Sequence, residues 1–195
     1  MRFPEIRDDL SLLEGYHSPQ VDVDIRLNTN ESPMPPPKEW MEDLSRELLK
    51  VGWNRYPDRM ATQLHRDIAD FHNVDPDMVL AANGSNEILQ SLLLAYGGFG
   101  RKASVFEPTY ALHSHISTLT GTEVIVGQCN EDFGIGEETV DSVLMQEPDV
   151  LFLCSPNNPT GLVSTREFVR FIIDKFSEIG TLVVIDEAYG EFSNS

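Results

Sequence analysis

The chain has 195 residues, of which 41% are hydrophobic and 24% are charged, and its formal net charge at pH 7 is -18. This length and composition suit one large domain or two small ones with a real core. So negative a surface repels polyanions, which disfavours general nucleic-acid binding, and no apolar run approaches the roughly 20 residues of a membrane-spanning helix.

The first half of the chain is divided by a proline-dense stretch at residues 33–37. This stretch predicts an extended N-terminal arm over residues 1–37, followed by a domain over residues 38–195. Beyond the prolines, apolar residues at helical spacing predict one helix over residues 38–51 and a second over residues 64–71.

From residue 78 onward, predicted strands and helices alternate. The predicted strands are 78–82, 103–107, 122–126, 149–154 and 181–185. The predicted helices are 86–96, 110–119, 137–145 and 164–176, of which the last begins with a capping box at Ser164-Thr165-Arg166-Glu167. Because the strands are almost continuously apolar, we expect a mostly parallel sheet covered on both faces, in a three-layer α/β/α fold.

Three polar stretches follow predicted strands, at residues 83–87, 155–161 and 186–189. Ligands of open α/β sheets bind beyond the carboxyl ends of the strands, so we expect these stretches to meet at one edge. The first of them opens a helix with Gly84-Ser85-Asn86. Such a helix start suits an anion, although the same residues also form ordinary helix caps.

Asp186 ends an apolar strand, where an unpaired buried carboxylate would be costly. Its partner could be a metal ion, a protonated ring nitrogen, or a structural arginine or backbone donors. The segment VVIDEA also resembles the acidic strand end of a P-loop ATPase or helicase, but that class needs a Gly-Lys pair, which the chain lacks. His113 and His115 lie two apart in a predicted helix and face different sides, so we interpret them as ordinary helix or interface residues.

The N-terminal sequence has no apolar signal core and carries acidic residues early, which predicts no export or transit peptide. Cys129 and Cys154 are too few and too far apart for a disulfide framework or a zinc knuckle. Cys154 ends a buried strand and is interpreted as a core residue. We therefore expect a cytoplasmic protein without a membrane or nucleic-acid partner.

Six segments carry a family resemblance: RLNTNESP, NRYPD, AANGSNEILQ, PTYALH, SPNNPTG and IDEAYGEF. In this order and spacing they resemble the fold-type I pyridoxal-phosphate (PLP) aminotransferases, and histidinol-phosphate aminotransferases in particular, from about residue 16 to residue 192. The resemblance implies the fold-type I architecture and a homodimer whose subunits share active-site residues. It also implies transfer of an amino group between histidinol phosphate and 2-oxoglutarate, in histidine biosynthesis.

The resemblance implies a phosphate site and a ring-stacking residue for PLP. Gly84, Ser85 and Asn86 would hold the phosphate at the helix start, and Tyr110 would stack on the ring. Tyr56 would reach the phosphate of the cofactor in the partner subunit. Asn86 stands where the family often carries aspartate, which removes one negative charge near the phosphate.

The polar atoms of the ring would be held by residues at the strand ends. By resemblance, Asn158 and Tyr189 would donate to the ring oxygen O3′. Asp186 would pair with the pyridine nitrogen and keep it protonated, so that the ring can accept carbanion electrons. Tyr16 and Asn30 would contact the substrate from the arm. Within the arm, Ser32-Pro33-Met34 stands where the family commonly has Asn-Pro-Tyr.

The family reaction also needs a lysine that forms a Schiff base with PLP, in a Ser-Lys context after the Asp-Glu-Ala-Tyr strand. None of the four lysines stands in that context: Lys38, Lys50, Lys102 and Lys175. We therefore expect this chain to be the N-terminal portion of such an enzyme and to be inactive alone. The alternatives are an aromatic aminotransferase, a threonine-phosphate decarboxylase, or a naturally truncated PLP-binding protein without catalysis.

Overall fold

The computed structural model describes residues 3–11, 13, 15 and 21–193, which fall into two compact units. The larger unit joins residues 1–15 to residues 82–195, and the smaller unit is residues 16–81. The predicted division into an arm and a domain at residue 37 stays a prediction.

The smaller unit contains the two helices predicted from apolar spacing. Helix α1 is Lys38–Leu48 and helix α2 is Thr62–His72. Helix α1 ends three residues earlier than predicted, because the chain turns after Leu48, whose carbonyl oxygen accepts the indole N–H of Trp53 at 3.1 Å. A short 3-10 turn follows at Pro76–Met78.

The strand predicted over residues 78–82 is wrong. Met78 closes the 3-10 turn, and the next four residues are assigned to no strand. The backbone of Val79 is extended, but Met78 and Leu80 are 78% and 69% exposed. An apolar segment becomes a strand only when another strand pairs with it, and the described part of the chain supplies no such partner.

The larger unit is built on a four-stranded parallel sheet. Its strands are β1 (Lys102–Glu107), β2 (Glu123–Gln128), β3 (Val150–Cys154) and β4 (Leu182–Asp186). They lie in the order β2-β1-β3-β4. The pairs Glu107–Gln128 and Cys154–Asp186 are in register, so neighbouring strands end together at one edge.

Four helices cover the two faces of this sheet. They are α3 (Ser85–Tyr96), α4 (Ala111–Leu119), α5 (Glu137–Leu144) and α6 (Arg166–Ser177). One core cluster joins α3 and α4 to one face: Leu89, Leu93, Ala103, Val105, Leu112, Ile116, Val150 and Phe152. The other joins α5 and α6 to the opposite face: Phe106, Ile125, Val140, Val143, Leu151, Leu153, Ile172 and Phe176. The predicted three-layer α/β/α fold is therefore confirmed.

The capping box predicted at Ser164 is displaced by one residue. Thr165 is the N-cap of α6, and its Oγ1 accepts the backbone N–H of Phe168 at 3.2 Å. The backbone N–H of Ser164 instead donates to Oγ of Ser155 at 3.0 Å. Across the described residues, no helix has the length and apolarity that a membrane crossing requires.

Candidate active site

A small cavity of about 150 Å³ lies at the carboxyl edge of the sheet. Its lining residues are Ser85, Tyr110, Cys154, Asn158, Asp186, Ala188 and Tyr189. It therefore brings together a residue from each of the three polar stretches that were predicted to meet, together with Tyr110 from the loop after β1. The roles assigned to these residues stay predictions.

The helix start at α3 forms one wall of the cavity. Gly84 is the N-cap with φ +84°, a conformation that favours glycine, and no side chain caps this end. The first backbone N–H groups of the helix are therefore available to an anion, and the helix dipole favours negative charge there. The Tyr110 hydroxyl donates to Oδ1 of Asn86 at 3.2 Å, which ties the neighbouring loop to this helix.

Asp186 lies at the end of β4, and its side chain is held by two donors. Its Oδ2 is 2.9 Å from Nε2 of His113, and its Oδ1 accepts the backbone N–H of Ala188 at 3.1 Å. The hydrogen bond from His113 lowers the pKa of Asp186 below its ordinary value, and the Ala188 N–H adds to this, although burial opposes it. The carboxylate is consequently ionised in the cavity at neutral pH.

His113 is the site residue that the sequence interpretation missed, because it was taken as an ordinary helix residue. Its side chain is fully buried, stacked on Phe152 with 4.8 Å between ring centroids, and edge-on to Tyr110 at 5.4 Å. Because a carboxylate can only accept, Nε2 carries the hydrogen in this pair. The other nitrogen, Nδ1, has no hydrogen-bond partner among the described residues.

A signal in the sequence could have found His113. It lies three residues after Tyr110 at the start of a helix, so both side chains fall on one helical face. A strand-ending aspartate that needs a donor, next to that face, favours histidine as the partner. Of the partners left open for Asp186, the structure shows a backbone donor, and it adds a histidine donor that was not among them. No three His, Cys, Asp or Glu side chains come together as a metal site in the described chain.

The loop after β3 presents Asn158 to the cavity. Within the described residues the Asn158 side chain makes no hydrogen bond, so its amide group is available to a ligand. Tyr189 lines the same cavity from the turn after β4. Gly161, at φ +72°, closes the loop by donating its backbone N–H to the Asn157 carbonyl oxygen at 2.7 Å.

The remaining predicted site residues do not belong to the described part of the larger unit. Tyr56, which is 99% exposed, and Asn30 belong to the smaller unit, and their predicted roles stay predictions. Tyr16 lies outside the described residues. Lys102 and Lys175 do not line the cavity, since they bind the Gln146 carbonyl oxygen at 2.9 Å and the Asp141 carboxylate at 2.5 Å, respectively.

A parallel sheet covered by helices on both faces, with a cavity at its carboxyl edge beside a helix N-terminus and a buried aspartate, is typical of a doubly wound α/β domain. Residues 22–195 match the family model described as aminotransferase class I and II. The chain belongs to that family, which confirms the resemblance seen in the sequence.

Individual relatives support the narrower resemblance as well. A histidinol-phosphate aminotransferase of Thermobifida fusca is 46% identical over 192 residues, covering 96% of this chain and 52% of the relative. The same enzyme of Frankia casuarinae is 44% identical, covering 96% of this chain and 50% of the relative. The chain thus spans about half the length of these relatives.

The fold is also found in a solved structure, histidinol-phosphate aminotransferase from Sinorhizobium meliloti in complex with pyridoxal-5′-phosphate. It matches 85% of this chain and 44% of its own, with a TM-score of 0.76 and 20% identity. At that identity the likeness establishes the fold alone.

Proposed function

We propose that this chain supplies the cofactor cavity of a PLP-dependent aminotransferase that moves an amino group between histidinol phosphate and 2-oxoglutarate. The observation that carries the proposal is the convergence of Asp186, Asn158, Tyr189 and the uncapped start of α3 on one cavity. The names of the two relatives described above, each of which covers 96% of this chain, support the substrate.

The residues of the cavity fit the polar groups of PLP. The phosphate suits the start of α3 at Gly84, Ser85 and Asn86, where backbone N–H groups are uncapped. Asp186 is ionised and can accept the hydrogen of a protonated pyridine nitrogen. The unbonded amide of Asn158, together with the phenol of Tyr189, suits the ring oxygen. When bound, the cofactor would supply an electron sink, and these residues would bind and orient it.

We further propose that the protein works as a cytoplasmic homodimer. In that dimer Tyr56 would contact the phosphate in the partner subunit's site, and Tyr16 and Asn30 would contact the substrate. For Asn30 and Tyr56 this part of the proposal rests on the resemblance of the segments RLNTNESP and NRYPD. For Tyr16 it rests on the resemblance that begins at about residue 16.

Cofactor binding is the direct test, and it does not depend on turnover. PLP affinity of the purified chain is measured by titration, followed by absorbance and by quenching of intrinsic fluorescence. Asp186→Asn should weaken binding at least tenfold, because the neutral amide cannot hold the pyridine nitrogen protonated. Glu187→Gln removes the same charge one residue along, from a side chain outside the cavity, and should leave the affinity unchanged. Equal affinity in wild type and Asp186→Asn would overturn the proposed site.

The substrate is tested by turnover assays with the protein isolated from its natural source. We expect histidinol phosphate to be the preferred amino donor to 2-oxoglutarate when it is compared with phenylalanine. Preference for phenylalanine would instead indicate an aromatic aminotransferase. Release of carbon dioxide from threonine phosphate would indicate a decarboxylase, and retention of PLP without any turnover would indicate a non-catalytic binding protein.

A further inference from the structure

We propose that Asn157, the neighbour of Asn158, is a positioning residue that fastens the loop after β3 to the loop after β1. This inference rests on the proposed function, because it concerns the placement of two cavity residues, Tyr110 and Asn158. Asn157 itself does not line the cavity. Its contribution would be to set where the neighbouring side chains stand.

The Asn157 side chain uses both ends of its amide. Its Oδ1 accepts the hydroxyl hydrogen of Thr109 at 2.8 Å. Its Nδ2 donates to the carbonyl oxygen of Pro108 at 2.9 Å and to Oγ1 of Thr160 at 2.8 Å. Because the Pro108 carbonyl can only accept, this contact requires the amide nitrogen on that side, which settles the orientation of the group.

The backbone of Asn157 is held within its own loop as well. Its N–H donates to the Leu162 carbonyl oxygen at 2.8 Å, and its C=O accepts the N–H of Gly161 at 2.7 Å. The residue is therefore rigid, and its two bonds to Pro108 and Thr109 transmit that rigidity to the other loop. Asn158 is the next residue, so the hydrogen bonds of Asn157 also restrict where the backbone of Asn158 lies.

The two loops need such a fastener because the sheet pairs their strands only in part. In the ladder between β1 and β3, Ala103 pairs with Val150 and Ser104 pairs with Leu151. The ladder stops before either strand ends, whereas Asn157 bonds to the first two residues of the loop after β1. Tyr110, the next residue, is the N-cap of α4 and lines the cavity. The Asn157 amide thus sets the relative position of the ring of Tyr110 and the amide of Asn158.

The test compares three substitutions in the chain by PLP titration. Asn157→Ala removes both bonds between the loops and should weaken PLP binding about tenfold. Asn157→Asp keeps an acceptor for Thr109 but cannot donate to Pro108, so its loss of PLP affinity should be smaller than that of Asn157→Ala. The aspartate variant also provides the test if the alanine variant does not fold. Thr160→Val removes only a partner within the same loop and should bind PLP within about twofold of wild type.

A positioning role is separated from general destabilisation by a double-mutant cycle with Asn158→Ala. If Asn157 acts through Asn158, the loss caused by Asn157→Ala should be much smaller in that background, whereas a merely structural role gives additive losses. The circular dichroism of bound PLP at saturation should also change in Asn157→Ala, because that signal reports how the ring is held.

The outcomes distinguish this inference from the proposed function. If wild type binds PLP and Asp186→Asn weakens binding, but Asn157→Ala binds normally, the positioning role is overturned and the proposed function stands. Hydrogen exchange gives a readout without cofactor, since the backbone N–H groups of residues 109–110, 157–158 and 160–162 should exchange faster in Asn157→Ala. Unchanged exchange there would overturn the fastening, whatever the affinity for PLP.

Discussion

Replacing His113 by phenylalanine tests the buried pair that it forms with Asp186. The phenylalanine ring can keep the stacking on Phe152, where the planes are 7° apart, but it offers no donor to the Asp186 carboxylate 2.9 Å away. A hydrogen bond to a charged group contributes about 1.5–3 kcal/mol, and removing one partner of a buried pair costs about 3–5 kcal/mol. Asp186 keeps its bond from the Ala188 N–H, so we expect the free energy of unfolding at pH 7 to fall by about 2–3 kcal/mol.

The loss should depend on pH in a defined direction. In the wild type the pKa of Asp186 is lowered, chiefly by His113, so its contribution to stability is complete above the unfolded pKa of about 3.9 and is lost as pH falls through the lower folded pKa. In the variant, burial raises the Asp186 pKa with only the Ala188 N–H to oppose it. The variant should then regain stability as pH falls from 7 towards 4, because protonation removes the uncompensated charge.

Urea denaturation followed by circular dichroism at pH 7, 6, 5 and 4 measures both effects. The matched control is His115→Phe, which removes one histidine from the unfolded chain and from the same helix without touching Asp186. A difference between wild type and His113→Phe that stays below about 1 kcal/mol at pH 7, the size of an ordinary neutral hydrogen bond, would contradict the reasoning. The reasoning would also be contradicted if the difference in the free energy of unfolding were larger than this but did not become smaller at lower pH, when compared with the His115→Phe control.

Two further predictions concern the supports of the fold. Thr165→Ala should lower the free energy of unfolding by about 1 kcal/mol in urea denaturation, because Thr165 caps α6, whereas Thr165→Ser and Ser164→Ala should stay close to wild type. Equal losses in Thr165→Ala and Ser164→Ala would contradict this cap assignment. Arg7 donates to the Leu119 carbonyl oxygen at 3.3 Å and lies over the Phe99 ring at 5.1 Å, so Arg7→Ala should speed limited proteolysis within residues 3–11. Cleavage at the wild-type rate would refute that anchor.

The pattern of apolar residues in the sequence predicted most of the strands and helices of the sheet domain. The runs around Val105, Leu151 and Val183 are apolar at successive positions because both faces of the sheet are covered, and this predicts strands without knowledge of their partners. The run at residues 78–82 is apolar in the same way but is not a strand, because strand pairing depends on which other segments are present. Local composition cannot report that condition.

The site residues that could be predicted are those that stand where an apolar strand gives way to polar residues. Asp186 and Asn158 are polar residues at or just after strand ends, where a parallel sheet places its ligands. His113 lies inside helix α4, and its position along the helix is as consistent with a residue of the core as with a residue of the site. In the pair Asn157-Asn158, the sequence predicted a rigid loop and assigned the cofactor contact to the second residue by resemblance. The role of Asn157 depends on its hydrogen bond to Pro108, in the loop after β1. The two residues are 49 positions apart in the sequence, so local sequence does not reveal this contact.

The choice of histidine as the partner of Asp186 has a consequence for ligand binding. An arginine could occupy both carboxylate oxygens in a bidentate pair, which would leave little capacity for a further donor. The imidazole of His113 takes one oxygen and the Ala188 N–H takes the other, so each oxygen retains a lone pair directed elsewhere. Stacking on Phe152 and the edge of Tyr110 hold the imidazole in place, and the imidazole in turn orients the carboxylate through its hydrogen bond. A carboxylate that is ionised, oriented and still able to accept is what the proposed protonated ring nitrogen requires.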